Sequence, residues 1–178
     1  SLTLSASKRM KDGTFQFPTY LKRGIKVFLW GMVITLATYL IIPEAYVRFG
    51  VLHLIGVSII ISYPLLRFKT LNLLLGIAVI ITGLFFLTLT VEPGWFYMFG
   101  LTPTVFNSVD FFPIFPYWGI TSIGLFIGKS LYNNFTRNYW VPKADDYPII
   151  SQISFLGRHS LFIYLIHQPL LIILLYMV

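Results

Sequence analysis

The chain contains no cysteine, which excludes disulfides, thiolate metal sites and a cysteine nucleophile. Charge is nearly as scarce: Asp, Glu, Lys and Arg make up 11% of its 178 residues, and only six of them are acidic. No hydrophilic block is long enough to fold alone, so a second, soluble domain is not expected. A glycine-rich phosphate loop, a dinucleotide fingerprint, a nucleophile elbow and an HExxH pair are all missing. No apolar stretch with a basic leader and a small-residue cleavage site opens these residues, so a signal peptide is not expected among them.

What the chain does have is apolar surface. Hydrophobic residues make up 57% and aromatics 18%, and the mean hydropathy is +0.80. A soluble fold of this length cannot bury that much. The pattern predicts an all-α, polytopic transmembrane helical bundle of about five spans, each near the ~20 residues that cross a bilayer. The expected spans are Ile25 to Ile42, Val51 to Leu66, Leu71 to Val91, Tyr117 to Tyr132 and Ser160 to Val178. Residues 1–178 read as a single membrane domain.

The net charge of +7 does not point to nucleic acid, because the cations sit between apolar spans rather than on a foldable polar surface. They set the orientation instead. Lys8, Arg9, Lys11, Lys22, Arg23 and Lys26 precede the first span, Arg67 and Lys69 follow the second, and Lys129, Arg137, Lys143 and Arg158 lie between the last two. Arg48 alone falls on the opposite side, with Glu44, Glu92 and Asp110. The positive-inside rule therefore predicts a multi-pass protein of the cytoplasmic membrane, with the chain start inside and the carboxy terminus outside. On that topology the Asn134-Phe135-Thr136 sequon faces the cytoplasm and is silent.

Between Glu92 and Pro116 lies a long external connection rich in Phe and Pro. It reads either as an aromatic belt at the headgroups or as a lid over an external site. Gly76, Gly83, Gly119, Gly124 and Gly128 read as close-packing positions between helices.

Ionisable residues near a span are expensive and tend to face a cavity or a bundle interior. His53 opens the second span from outside, and Asp110 lies on the same side, so a folded-back loop would let a carboxylate orient an imidazole for proton transfer. A hydrogen bond that merely ties the loop down is the other reading. Arg158 and His159 lead into the fifth span, with His167, Gln168 and Pro169 deeper in it. His159 and His167 are eight residues apart, roughly 80° round a helix, so one cavity could see both. Pro169 frees the carbonyl of Leu165 and marks a throat for a polar ligand. His167 has an interhelical hydrogen bond as its structural alternative, and Arg158 a lipid-phosphate anchor as its own.

Three blocks, RFGVLHLIGVS, VDFFPIFPYWGITSIGLFIGK and FLGRHSLFIYLIHQPLL, resemble in that order the bacterial and archaeal membrane proteins related to the heparan-alpha-glucosaminide N-acetyltransferase catalytic domain. That family belongs with the multispan acyltransferases of the YeiB and acyltransferase-3 kind. The resemblance implies transfer of an acyl group, such as acetyl, from cytosolic acyl-CoA to an extracytoplasmic acceptor such as a sugar. No metal is implied, and acyl-CoA, the acceptor and membrane lipids are the expected partners, with self-association compatible. His53, Asp110 and His167 are the implied catalytic positions, and Arg158, His159 and Gln168 the implied positions for the acyl-CoA co-substrate. The resemblance further implies a roughly seven-span domain, with about two helices and the principal catalytic histidine upstream of Ser1. In the acetyltransferase, the position of His53 is often glutamine. The alternative function is a proton-coupled transporter or flippase of a polar lipid or glycan, which would use the same intramembrane histidines.

Overall fold

The computed structural model describes residues 17–92, 94–133, 136–137, 152–153, 155–157 and 159–176. Its helices are α1 (Phe17–Ile41), α2 (Val51–Ser62), α3 (Thr70–Phe86), α4 (Ile114–Leu131) and α5 (Ser160–Tyr176), with short 3-10 helices at Pro64–Arg67 and Gly94–Phe99. A two-residue hairpin, β1 (Tyr132–Asn133) with β2 (Thr136–Arg137), follows α4. The chain divides into two compact units, Ser1–Asn138 and Tyr139–Val178. Arg158 and most of the connection before α5 lie outside the described residues.

Each expected span falls on a helix, and the ends differ for readable reasons. The run predicted over Val51 to Leu66 leaves the α-helix at Ser62 because Pro64 has no amide hydrogen for the carbonyl one turn back. It tightens instead into the 3-10 turn Pro64–Arg67. The run over Leu71 to Val91 stops at Phe86, where the Thr88 hydroxyl donates to the Phe85 carbonyl at 2.7 Å. Its last residues serve another purpose, a bridge between Thr90 and Thr102. In α4, Phe115 is extended (φ −95°, ψ 127°), and regular helix runs from Pro116 onward. One described helix, α1, is long and apolar enough by itself to cross a bilayer, with a mean hydropathy of 1.8, while α2 and α3 are shorter apolar helices.

In the first unit the helices pack as α1 on α2 and α3 on α4, with a smaller α2–α4 contact. Glycines make both main contacts. A Cβ on Gly24 would stand 2.7 Å from the Gly56 carbonyl oxygen, and one on Gly56 would stand 2.8 Å from that of Gly24. Gly76 and Gly119 meet in the same reciprocal way, at 2.9 and 2.6 Å. Any side chain would pry these backbones apart, which is how small residues let apolar helices associate without a hydrophobic drive between them. Gly83 likewise abuts Pro116, whereas a Cβ on Gly124 would meet no described residue within 4 Å.

Several polar side chains are buried beside the apolar core, while apolar stripes of α1 and α3 face outward. Thr38, His53, Ser58, Ser62, Asn72 and Ser122 are buried, whereas Leu29, Val33, Leu36 and Leu40 on α1 and Leu74, Ile77, Ile81 and Leu84 on α3 are exposed. Trp118 Nε1 donates to Ser62 Oγ at 3.2 Å and ties α4 to α2. Asn72 Nδ2 donates to the carbonyls of Leu65 and Phe68, which closes the 3-10 turn onto the start of α3.

Candidate functional site

The site begins where α1 ends. The Thr38 hydroxyl donates to the Ile34 carbonyl at 2.8 Å and accepts from the Val47 amide at 3.0 Å, so the last turns of α1 hold the segment that leads into α2. Against that segment lies the second half of the long connection, residues 101–113. Val109 N–H donates to the Ala45 carbonyl at 2.9 Å and Phe112 N–H to that of Phe49 at 2.8 Å, with a parallel bridge between Phe49 and Phe111. Ser108 Oγ accepts from the Arg48 amide at 3.3 Å. Its single hydrogen serves either the Tyr46 or the Asp110 carbonyl, each at 3.0 Å.

This zipper delivers Asp110 to the start of α2. Its Oδ2 accepts from Val51 N–H at 3.2 Å, a carboxylate on an otherwise orphaned first-turn amide at the positive end of the helix dipole. A Cβ on Gly50 would collide with that carboxylate. Gly50 is therefore required for space and not for conformation, since its backbone is ordinarily extended (φ −90°, ψ −177°).

His53 reaches the same corner from inside α2. It is the third helical residue, and its Nδ1 accepts from the Gly50 amide at 3.2 Å. That is the reach-back half of a capping box, made by an imidazole in place of Glu or Gln. The ring is 2% exposed. Phe28 packs edge-on at 4.9 Å and Phe49 at 5.5 Å, while Gly31 of α1 offers a bare backbone on which a Cβ would lie 2.9 Å from both Cε1 and Nδ1. The structure thus brings His53 and Asp110 together on adjacent amides of one helix end.

Arg48 borders this corner, its guanidinium 5.2 Å from the Tyr46 ring centroid and 4.9 Å from that of Phe106. Its Nε is buried with no hydrogen-bond partner among the described residues. Part of the aromatic set of the long connection packs down: Phe106 meets Phe111 at 4.7 Å, and Tyr97, Phe112 and Phe115 lie on the core of Phe49, Leu54, Val79, Ile114 and Trp118, while Phe96 and Phe99 stay exposed.

In the second unit, His159 and His167 are exposed. His159 Nδ1 meets the Phe155 carbonyl at 3.0 Å, and His167 Nδ1 meets that of Tyr164 at 2.8 Å. His167 lines a shallow groove of about 380 Å³ with Phe162, Ile163, Ile166 and Leu170. Gln168 belongs to α5, but its side chain, like Arg158, lies outside what is described. Among the described residues no cluster of His, Cys, Asp or Glu could hold a metal ion.

Sequence reading did not find Gly31, Gly50 or Ser108. Gly50 had a legible signal, a glycine just before an apolar run with histidine three residues on, which is the spacing of a capping box.

The family model for heparan-alpha-glucosaminide N-acetyltransferase, catalytic, matches residues 1–169. The chain belongs to that family. It is a transmembrane acetyltransferase family, which supports reading the protein as a membrane enzyme. Comparison with curated proteins finds no match, and comparison with solved structures finds none.

Proposed function

We propose that this chain is the membrane-embedded part of an acyltransferase that moves an acyl group, acetyl in the family's name, from cytosolic acyl-CoA to an extracytoplasmic acceptor such as a sugar. The observation that carries the reading is the family match over residues 1–169, which takes in the blocks holding His53, Asp110 and nearly all of the third, His167 included.

All five helices are assigned as spans. The exposed apolar stripes of α1 and α3 and the polar groups turned inward support this, because a bilayer rewards that arrangement and water does not. The α2 helix covers about 18 Å by itself. The 3-10 turn after it adds about 8 Å, which brings the pair near the ~30 Å hydrocarbon thickness. The distribution of Lys and Arg puts Arg158 and His159 on the cytoplasmic face and the His53–Asp110 corner outside.

In the proposed reaction, an acceptor hydroxyl or amine attacks the thioester carbonyl. A bond forms from acceptor oxygen or nitrogen to the acyl carbon, the C–S bond breaks, and the acceptor's proton passes to a base as CoA leaves. Arg158, His159 and Gln168 are assigned to acyl-CoA, with Arg158 on its phosphates, and His167 to the throat for pantetheine.

The test is acyl-CoA binding to the purified full-length protein in detergent, wild type against Arg158→Ala. Saturable binding that the substitution abolishes is expected. A folded wild type that binds no acyl-CoA would sink the reading and favour transport.

A further inference from the structure

The three histidines are wired in two opposite ways. A backbone N–H can only donate, so the Gly50 amide at 3.2 Å requires a lone pair on His53 Nδ1. The neutral ring then carries its proton on Nε2. A backbone carbonyl can only accept, so the contacts to Phe155 and Tyr164 put the proton of His159 and His167 on Nδ1. Their Nε2 atoms keep the lone pair.

The geometry points to a division of labour: we infer that His53 is a positioning residue locked as the Nε2–H tautomer, and that the proton-accepting nitrogens of the described histidines are Nε2 of His159 and His167. This deepens the acyltransferase reading and rests on it. For His53 to take a proton at Nδ1 it must release the Gly50 amide, and Nε2 has no free lone pair while the cap holds. The ring is also walled off by Phe28, Phe49 and Gly31, and Asp110 holds the amide next to the one His53 caps. What His53 does in this arrangement is fix the start of α2 beside the amide that Asp110 holds, and through Asp110 the whole 101–113 strap. Glutamine meets the same demand, an oxygen to accept from the Gly50 amide, and it is a natural residue at this capping position.

Nitrogen NMR of histidine-labelled full-length protein, with peaks assigned by His53→Gln, His159→Gln and His167→Gln, reads the tautomers directly. The expected spectrum has His53 unprotonated at Nδ1 and His159 and His167 unprotonated at Nε2. A proton on His53 Nδ1 would overturn the inference, whatever the enzymatic activity.

In acyl-transfer assays, His53→Gln should keep kcat within about fivefold, the size expected for exchanging one neutral hydrogen bond, and leave the pH profile of the wild type in place. His53→Ala should lose more, mainly in KM for the acceptor, with faster exchange of the Val109 and Phe112 amides. If His53 were instead the base, His53→Gln would cost about 10²-fold or more and remove an inflection from the profile, and that result also overturns the inference. A wild type without acyl transfer would count against the functional reading alone, since the tautomer and exchange measurements need no turnover.

Discussion

The start of α2 and the body of α5 both present a histidine to backbone three residues earlier, yet the two imidazoles meet opposite partners. At the start of a helix the amides are orphaned, so His53 finds an N–H at Gly50. One turn or more into a helix, the amides are spent on the ladder and a carbonyl is what remains, so His167 finds an oxygen at Tyr164. The same side chain becomes a buried cap in one place and an exposed group with a free Nε2 in the other. A histidine's chemistry is thus set by where the helix begins as much as by the residue itself.

The largest change should come from filling the wall of the His53 corner. Gly31→Leu is expected to destabilise by about 3 kcal/mol, because the added carbons meet the imidazole and α2 at once, and thermal unfolding in detergent checks it. An unchanged midpoint would mean that the corner is loose. Next in size is the α5 histidine: His167→Ala should lower kcat by about 10²-fold, well beyond the loss in His53→Gln, and equal losses would erase the distinction between the two sites. Asp110→Ala should cost about 1 to 2 kcal/mol for a lost helix cap and its charge at the dipole end. Asp110→Asn should cost less, since the amide oxygen still accepts, and hydrogen exchange at Val51 and Phe112 separates the two. The smallest effect belongs to Gly124, where a Cβ would meet no described residue within 4 Å. Gly124→Ala should gain up to about 1 kcal/mol from helix propensity, whereas the same change at Gly119, pressed on the Gly76 carbonyl, should destabilise.

Much of the helical framework is legible in hydropathy. The five apolar runs correspond to five helices because a stretch with few polar side chains must satisfy its backbone internally. Helix ends are less legible. Pro64 could have been read as the stop for α2, but nothing local says that Thr90 leaves the helical run to pair with Thr102. Of the glycines read as packing positions, Gly76, Gly83 and Gly119 pack against described residues and Gly124 does not. Spacing identifies a small-residue face without saying whether a partner covers it.

The candidate site divides in the same way. The residue types and the common side of His53 and Asp110 follow from sequence order and charge, as does the local spacing that lets His53 cap Gly50. That Asp110 takes the neighbouring amide, 59 residues away in the chain, depends on the pairing of 108–112 with 45–51, a contact with no periodic signature. The sequence by itself determined an apolar helical chain with three histidines in or beside its apolar runs and a basic bias to one side. Only the fold decided where each helix begins, and with it which backbone group each imidazole meets and which nitrogen holds the proton. Tautomers answer to the hydrogen-bond partner, and for His53 that partner is an amide left free because the folded strap and Thr38 fix the helix start at Gly50.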